Sequence, residues 1–422
     1  MSLKSHPRDR KSPLYCETPS VSRRALLAGG GALSAWAFLP RFAHAAGARD
    51  PRLIIIILRG ALDGLSAVGP VGDPDYARLH GALALSLTGD HPALPLDGFF
   101  ALNPAMPNFA RLYKAGQAVV IHAAATPYRE RSHFDGQDVL ESGYPRQGRT
   151  DSGWLNRAVA HLPAGERALP ARGLGVGPVA PLVMRGAAPV LGWAPQLIPT
   201  AGEDLAARVL DLYAHRDPML AKALSDGLDT SKMAASGGLT ADAKARGGMD
   251  QPQGMRRAAA GAAKIIAADD GPRVAALAFE GWDTHANEGG ATGQLANRLA
   301  GLDGALAEFE TGLGARWSDT AIAVITEFGR TAKINGTVGT DHGTGTVAFL
   351  VGGAVKGGRI IADWPGLAEA QLHEGRDLKP TTDLRAVLKG LLADQFGLSG
   401  TVLAEAVFPD SAAAAPMQGL IV

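Results

Sequence analysis

The run RLIIIIL, Arg52–Leu58, leads directly into RGALDG, Arg59–Gly64. Aliphatic residues follow one another here without alternation, which reads as a parallel strand buried on both faces. The polar, glycine-bearing segment then falls at the strand's carboxyl end, where open α/β sheets collect their ligands. The same pattern recurs outward from this point. AVVIHA at Ala118–Ala123, VAALAF at Val274–Phe279, AIAVIT at Ala321–Thr326 and the run Val347–Val351 are four further buried strands. Leu295, Leu299, Leu302, Leu306 and Phe309 recur at helical spacing and predict a helix over about Thr292–Leu313. A second helix starts near Thr382-Asp383, with either residue as its cap. Leu182–Met184 and Val190–Trp193 flank Arg185-Gly186 as an expected hairpin. Strands alternating with helices predict an α/β fold with a mostly parallel central sheet and helices on both faces. Residues 225–263 turn to Ala, Gly, Ser and Met without strand pattern and are expected to form a surface cap of loop and weak helix. No glycine-rich phosphate loop of dinucleotide or P-loop spacing occurs.

The first 45 residues have a different character. Ser22-Arg23-Arg24-Ala25-Leu26-Leu27 opens an apolar, small-residue stretch that reaches Leu39. It closes on Ala43-His44-Ala45, a small-x-small cleavage signal. Paired arginines, an apolar region and such an end are the parts of a twin-arginine signal peptide. The stretch is too short and too rich in Gly and Ala to span roughly 30 Å of hydrocarbon. The expectation is a leader over 1–45 and a single domain over 46–422. The protein would pass the twin-arginine translocase already folded and work in the periplasm or outside the cell. Without the leader the chain holds 34 basic against 39 acidic residues, a net of −5. Such a balance gives no electrostatic case for nucleic acid. The one cysteine, Cys16, lies in the leader. The mature chain therefore has no disulfide, thiol nucleophile or thiolate ligand, and any metal must rest on carboxylate, imidazole or carbonyl groups. No later segment is apolar enough to span a membrane, so no stable membrane span is expected in the mature protein.

Polar residues gather at the expected strand ends. Asp63 follows the first strand, and Ser132-His133-Phe134-Asp135 follows the second. Asp283 and His285 follow the third, Glu327 ends the fourth, and Asp341-His342 precedes the fifth. Each has a plain alternative. Asp63 before Gly64 is also a turn former. Asp283 is also a possible helix cap, and Glu327 with Arg330 also reads as a surface ion pair. Tyr128, Arg129 and Arg131 form either an anion clamp or a solvated charged loop. Taken together, carboxylates and imidazoles on converging strand ends are what a two-metal hydrolase requires.

Four motifs carry a resemblance. RGALDGLSAVGP, YRERSHFDGQDVLESG, FEGWDTHANEG and ITEFGRTAKINGTVGTDHGTG resemble an exported bacterial family designated DUF1501, in the alkaline phosphatase and sulfatase-like superfamily. The match runs over roughly Pro51–Leu398. The resemblance implies an alkaline-phosphatase-like sandwich with a bimetal site at the strand ends. Asp63 resembles the first-strand metal carboxylate. Asp283, His285 and His342 resemble the ligands of one metal, and Glu327 stands where the superfamily has a strand-end aspartate. Ser132 or His133 occupies the nucleophile's place, ahead of Ser142-Gly143. The sequence also departs from the pattern. Glu327-Phe328 replaces an Asp-His pair, so one imidazole is missing. The motif that yields formylglycine in sulfatases is absent.

From the resemblance follows an expected activity: a metal-dependent hydrolase or transferase of phosphate or sulfate esters, acting on a small-molecule or glycan ester. Asp63 and Glu327 would bind one divalent metal. Asp283, His285 and His342 would bind the other, with Asp341 beside them. Zinc is the first expectation, manganese and calcium the alternatives. Ser132 would attack the ester. The competing expectation is a non-catalytic exported binding protein that keeps the fold.

Overall fold

The computed structural model describes residues 49–148, 151–163, 173–195, 203–236 and 248–422. The expected leader, 1–45, lies outside them. Arg49–Val422 forms one compact unit. In chain order its strands are β1 (Arg52–Leu58), β2 (Val68–Gly69), β3 (Leu94–Pro95), β4 (Ala101–Leu102), β5 (Ala118–Ala125), β6 (Gly173–Val176), β7 (Val190–Trp193), β8 (Val274–Phe279), β9 (Thr320–Ile325), β10 (Thr346–Val351), β11 (Arg359–Ile361) and β12 (Thr382–Asp383). The main sheet has the order β11-β5-β10-β9-β1-β8-β6-β7, with β12 also on β5, and β2-β4-β3 makes a small separate sheet. β1 is central and pairs in parallel with β8 and β9. β10 alone runs against its neighbours β5 and β9. The α/β class with a mostly parallel sheet is therefore as expected.

Each face of β1 has its own core. Ile54, Ile56 and Leu58 pack with helices Pro107–Lys114, Pro252–Ala267 and Gln294–Leu313. Leu53, Ile55 and Ile57 pack with helices Trp154–Ala160 and Leu384–Phe396. All six are 0–1% exposed, and each contributes about 1.5–3 kcal/mol by burial. Double-sided burial is why the strand reads as an unbroken aliphatic run. Asp383 caps the last helix by accepting from the Arg385 amide.

Two expectations fail. Leu182–Met184 is a 3₁₀ turn, and Val190–Trp193 pairs in parallel with β6, so there is no hairpin there. Part of the expected surface cap is core: the helix Pro252–Ala267 buries Met255, Ala258, Ala259, Ala262, Ile265 and Ile266. Its alanines and glycines are what a closely approached helix needs. A Cβ on Gly261 would stand 1.9 Å from the Trp193 ring. Small residues chosen for contact look, in one dimension, like low-complexity loop.

Candidate metal centre

Parallel strands deliver the loops that follow them to one edge of the sheet. The reversed strand β10 delivers the loop that precedes it to the same edge. The segments after β1, β5, β8 and β9 thus meet the one before β10. The connection from β9 to β10 folds back on itself through Thr331 N to Asp341 O (2.9 Å), Gly343 N to Gly329 O (2.8 Å) and Gly329 N to Thr344 O (2.9 Å). An antiparallel bridge then joins Arg330 to His342. Asn335 and Thr337 tie this ribbon to the β8 loop by donating to the His285 carbonyl (2.9 and 2.8 Å). Gly339 is required there, since a Cβ would lie 2.3 Å from that carbonyl oxygen.

Three imidazoles surround the Asp283 carboxylate. His285 Nε2 lies 3.1 Å from Asp283 Oδ1, His342 Nε2 3.3 Å from the same oxygen, and His133 Nε2 3.4 Å from Oδ2. His285 Nε2 and His342 Nε2 are 2.9 Å apart. Ligand atoms of His133, Asp283 and His342 all lie within 4.8 Å of one another. Each ring is held from behind through its other nitrogen. Glu327 Oε1 takes His133 Nδ1 at 2.9 Å, the Arg131 carbonyl takes His342 Nδ1 at 2.9 Å, and Asp341 Oδ1 takes His285 Nδ1 at 3.4 Å. A ring that donates from Nδ1 presents a lone pair at Nε2. With all three rings donating from Nδ1, three lone pairs would face one carboxylate, an arrangement a divalent cation relieves. Imidazoles backed by carboxylates or carbonyls are also the usual outer support of a metal site. The donor set among the described residues is imidazole nitrogen with one carboxylate and no sulfur.

The electrostatics agree. Burial opposes ionisation of Asp283, but Arg330 and the three imidazoles overcome it and hold the carboxyl below its usual range. Arg330, fully buried, reaches Asp283 Oδ1 at 2.8 Å. For His133 the bond to Glu327 dominates and raises its pKa. For His342 burial dominates and lowers it. Strained backbone collects here as well. Ala61, Arg131, Asn287 and the β-branched Val338 have φ of +65°, +63°, +47° and +55°, each within four residues of Asp63, His133, His285 or His342. Such conformations cost of order 1–3 kcal/mol and cluster at functional sites.

The expected residues divide into three groups. His133, Asp283, His285 and His342 converge. Glu327 and Asp341 stand behind imidazoles instead of among the ligand atoms. Glu327 is fully buried and also accepts from the Gly60 amide (2.9 Å), Gln137 (3.1 Å) and Thr326 Oγ1 (3.0 Å), so its oxygens are committed. Its pKa is lowered: burial opposes ionisation, and the bonds from His133, Gln137 and Gly60 prevail. Asp63 is elsewhere. Its Oδ1 caps the helix Gly64–Ala67 through the Leu65 and Ser66 amides (2.9 and 3.3 Å), and its Oδ2 faces His80 Nε2 at 3.2 Å. The turn-forming reading of Asp63 was the better one. Ser132 does not join the cluster: its amide donates to Tyr128 Oη at 3.1 Å, and the Tyr128 hydroxyl is also the neighbour of its side chain. Phe328, where the superfamily pattern has histidine, stacks on the His133 ring (centroids 5.0 Å apart). His133, from the segment after β5, brings a third imidazole to Asp283. The ion pair expected between Glu327 and Arg330 does not form, because Arg330 turns to Asp283.

Sequence reasoning missed His80 and Glu288, and read Arg330 only as a partner of Glu327. Glu288 is fully buried beside Asp63 and accepts from Thr340 Oγ1 at 2.7 Å. Burial, then the Asp63 charge, push its carboxyl up to about 10. Burial works against ionisation of Asp63 too, but His80, Glu288 and Ser66 hold it well below the carboxylate range. Glu288 thus keeps a proton that the unfolded chain releases near the ordinary 4.5. Its contribution to stability is complete below that value and is lost as pH rises towards 10. Glu288→Gln is expected to flatten the fall in melting temperature between about pH 8 and about pH 10. Thermal scans across that range check it, and parallel curves for parent and variant would refute it.

The fold and site define an α/β protein with an imidazole-rich centre, a possible metal site, at the carboxyl edge of its sheet. The family model described as "Protein of unknown function (DUF1501)" matches residues 103–407. The chain belongs to that family. No curated protein matches the sequence. Among solved structures, Ps i-CgsB in complex with k-i-k-neocarrahexaose is similar at 12% identity and TM-score 0.40, over 83% of this chain and 72% of that one. The phosphonate monoester hydrolase of Agrobacterium radiobacter is similar at 13% identity and TM-score 0.33, over 82% and 74%. Among the described residues no helix is long and apolar enough to cross a membrane.

Proposed function

We propose that the protein is an exported, metal-dependent hydrolase or transferase of phosphate or sulfate esters. The observation that carries this reading is the convergence of three imidazole Nε2 atoms on Asp283, each ring oriented from behind. His133, Asp283 and His342 would hold the metal, zinc before manganese or calcium, with His285 completing the set. A divalent ion there supplies Lewis acidity towards an ester oxygen and acidifies a water. The protein's own groups do the rest. Glu327, Asp341 and the Arg131 carbonyl fix the three rings. Arg330 keeps Asp283 ionised and in place. Buried Phe328 and Trp282 close the rear of the site against water. Ser132 has no imidazole or carboxylate base on its hydroxyl, so water is the better nucleophile in this geometry. The export reading rests on the leader's paired arginines. Loading a metal before a folded passage through the twin-arginine translocase accords with it.

The mature protein is expected to carry one equivalent of metal by plasma mass spectrometry and to hydrolyse some member of a panel of aryl phosphates, phosphonates and sulfates. Chelation should remove the activity and metal should restore it, while Ser132→Ala retains it. A metal-loaded protein inert to the whole panel would favour a binding protein. Metal uptake should also weaken in acid. His133, with its pKa raised above 6.5 by Glu327, must lose its proton to bind, so affinity falls by up to about tenfold per pH unit below that pKa. Titration with zinc at several pH values checks this, and a flat profile would exclude His133 as ligand.

A further inference from the structure

A second concavity lies beside this centre. It is a cleft of 570 Å³, within the range of about 300–1,000 Å³ common for small-molecule sites. The carboxyl ends of three adjacent parallel strands, β7, β6 and β8, form its floor. The segment opening the helix Pro252–Ala267 forms one wall. Val176, Val179, Pro181, Pro195, Met249 and Ala278 give it a largely aliphatic lining. Val179 is 72% exposed.

Cleft and centre share two loops. Arg59 lines the cleft and bonds Glu280, another lining residue, at 3.0 Å. The next residue, Gly60, donates to Glu327 and packs against Asp283, where a Cβ would lie 2.5 Å from the Asp283 amide. On the other loop, Gly281 lines the cleft two residues before Asp283. At 3.8 Å per residue, the cleft's edge is within about 8 Å of Asp283 along the chain.

We infer that this cleft receives the uncharged organic part of the substrate, an aryl or alkyl group, while the charged ester group sits at the histidines. The inference rests on the ester-hydrolase reading and narrows it. Among the described residues no aromatic ring lines the cleft to stack on a sugar, so an aliphatic or aryl alcohol fits better than a glycan. Arg59 and Glu280, paired at the edge nearest the centre, and Asp250 and Arg257 on the helix wall are the charged residues of a lining that is otherwise apolar, as an ester with an apolar alcohol requires.

The test uses the mature, metal-loaded protein and two separate readouts. In the first, the neutral fluorophore N-phenyl-1-naphthylamine is titrated into the parent, Val179→Asp, Met249→Asp and His342→Ala. Saturable binding in the parent and in His342→Ala, weakened at least tenfold in both cleft variants, is expected. Melting curves confirm that the variants fold, and exposed Val179 guards against a folding defect at Met249. In the second, Val179→Asp should raise KM for a naphthyl ester with kcat unchanged, and leave the methyl ester unaffected. If no probe binds, or the cleft variants bind it as the parent does, the inference fails. If the probe behaves as expected but no ester is turned over, the cleft stands as a binding site and the hydrolase reading fails.

Discussion

Asp283→Asn is expected to bind zinc at least about a hundredfold more weakly than the parent protein, beyond the 10–100-fold typical of losing an outer partner. The substitution keeps the shape and removes the charge. Three imidazole Nε2 atoms, at 3.1–3.4 Å from this carboxylate, lose the anion around which they gather. Arg330, buried and 2.8 Å away, loses its counter-ion, and its positive charge then opposes an incoming cation. Glu327→Gln provides the contrast. It preserves an acceptor for His133 Nδ1 but weakens the polarisation of the ring, so its loss should stay within about 10–100-fold. Competition titrations against a chelator of known affinity separate the two. Equal losses would mean that Glu327 is itself a ligand, and no loss in Asp283→Asn would remove the centre altogether.

Gly60→Ala is expected to destabilise the protein by about 2–6 kcal/mol, combining backbone strain with overpacking. Gly60 has φ +121°. Its added Cβ would meet Asp283 N at 2.5 Å and Trp282 backbone atoms at 2.8 and 2.9 Å. None of these is a flexible side-chain end. The loop after β8 must therefore move, taking Asp283 out of register with the histidines, so metal affinity should fall together with stability. Gly98→Ala is the control, because nothing lies within 4 Å of the added carbon. Denaturant unfolding measures the difference. A Gly60→Ala protein as stable as the control would show that the β1 and β8 loops are not rigidly joined.

The sheet was legible because burial on both faces leaves an unmistakable mark. RLIIIIL at Arg52–Leu58 and AIAVIT at Ala321–Thr326 have no polar side to accommodate, and the unbroken run follows. Strand direction left no such mark. Nothing in Val190–Trp193 distinguishes a parallel partner of β6 from the arm of a hairpin, since the choice depends on where the intervening chain returns. The site was half legible for a related reason. Position at a strand end brought His133, Asp283, His285 and His342 to notice, and the fold gathers all four. It could not tell which way a side chain turns. Asp63 and Glu327 both follow strands, yet one turns to His80 and the other to His133. The roles of Arg330 and Glu288 escaped because charged residues are expected outside, and only the three-dimensional partners, Asp283 for one and Thr340 for the other, explain their burial.

The reversed strand also sets a timetable. β5 finds its sheet partners only in β10, β11 and β12, all near the end of the chain. A ribosome completes β5 about 220 residues, roughly 10–45 s of synthesis, before β10 exists to receive it. Until then the helix after β5, which carries His133, has no fixed place beside Asp283, and His342 has only just emerged. The nascent chain can pair β1 with β8, and then with β9, before β10 is made, but on the proposed reading it could not yet hold an ion at this centre. On the proposed reading, metal acquisition would therefore be a late event, and a product truncated before residue 346 would carry every proposed ligand residue and none of the affinity.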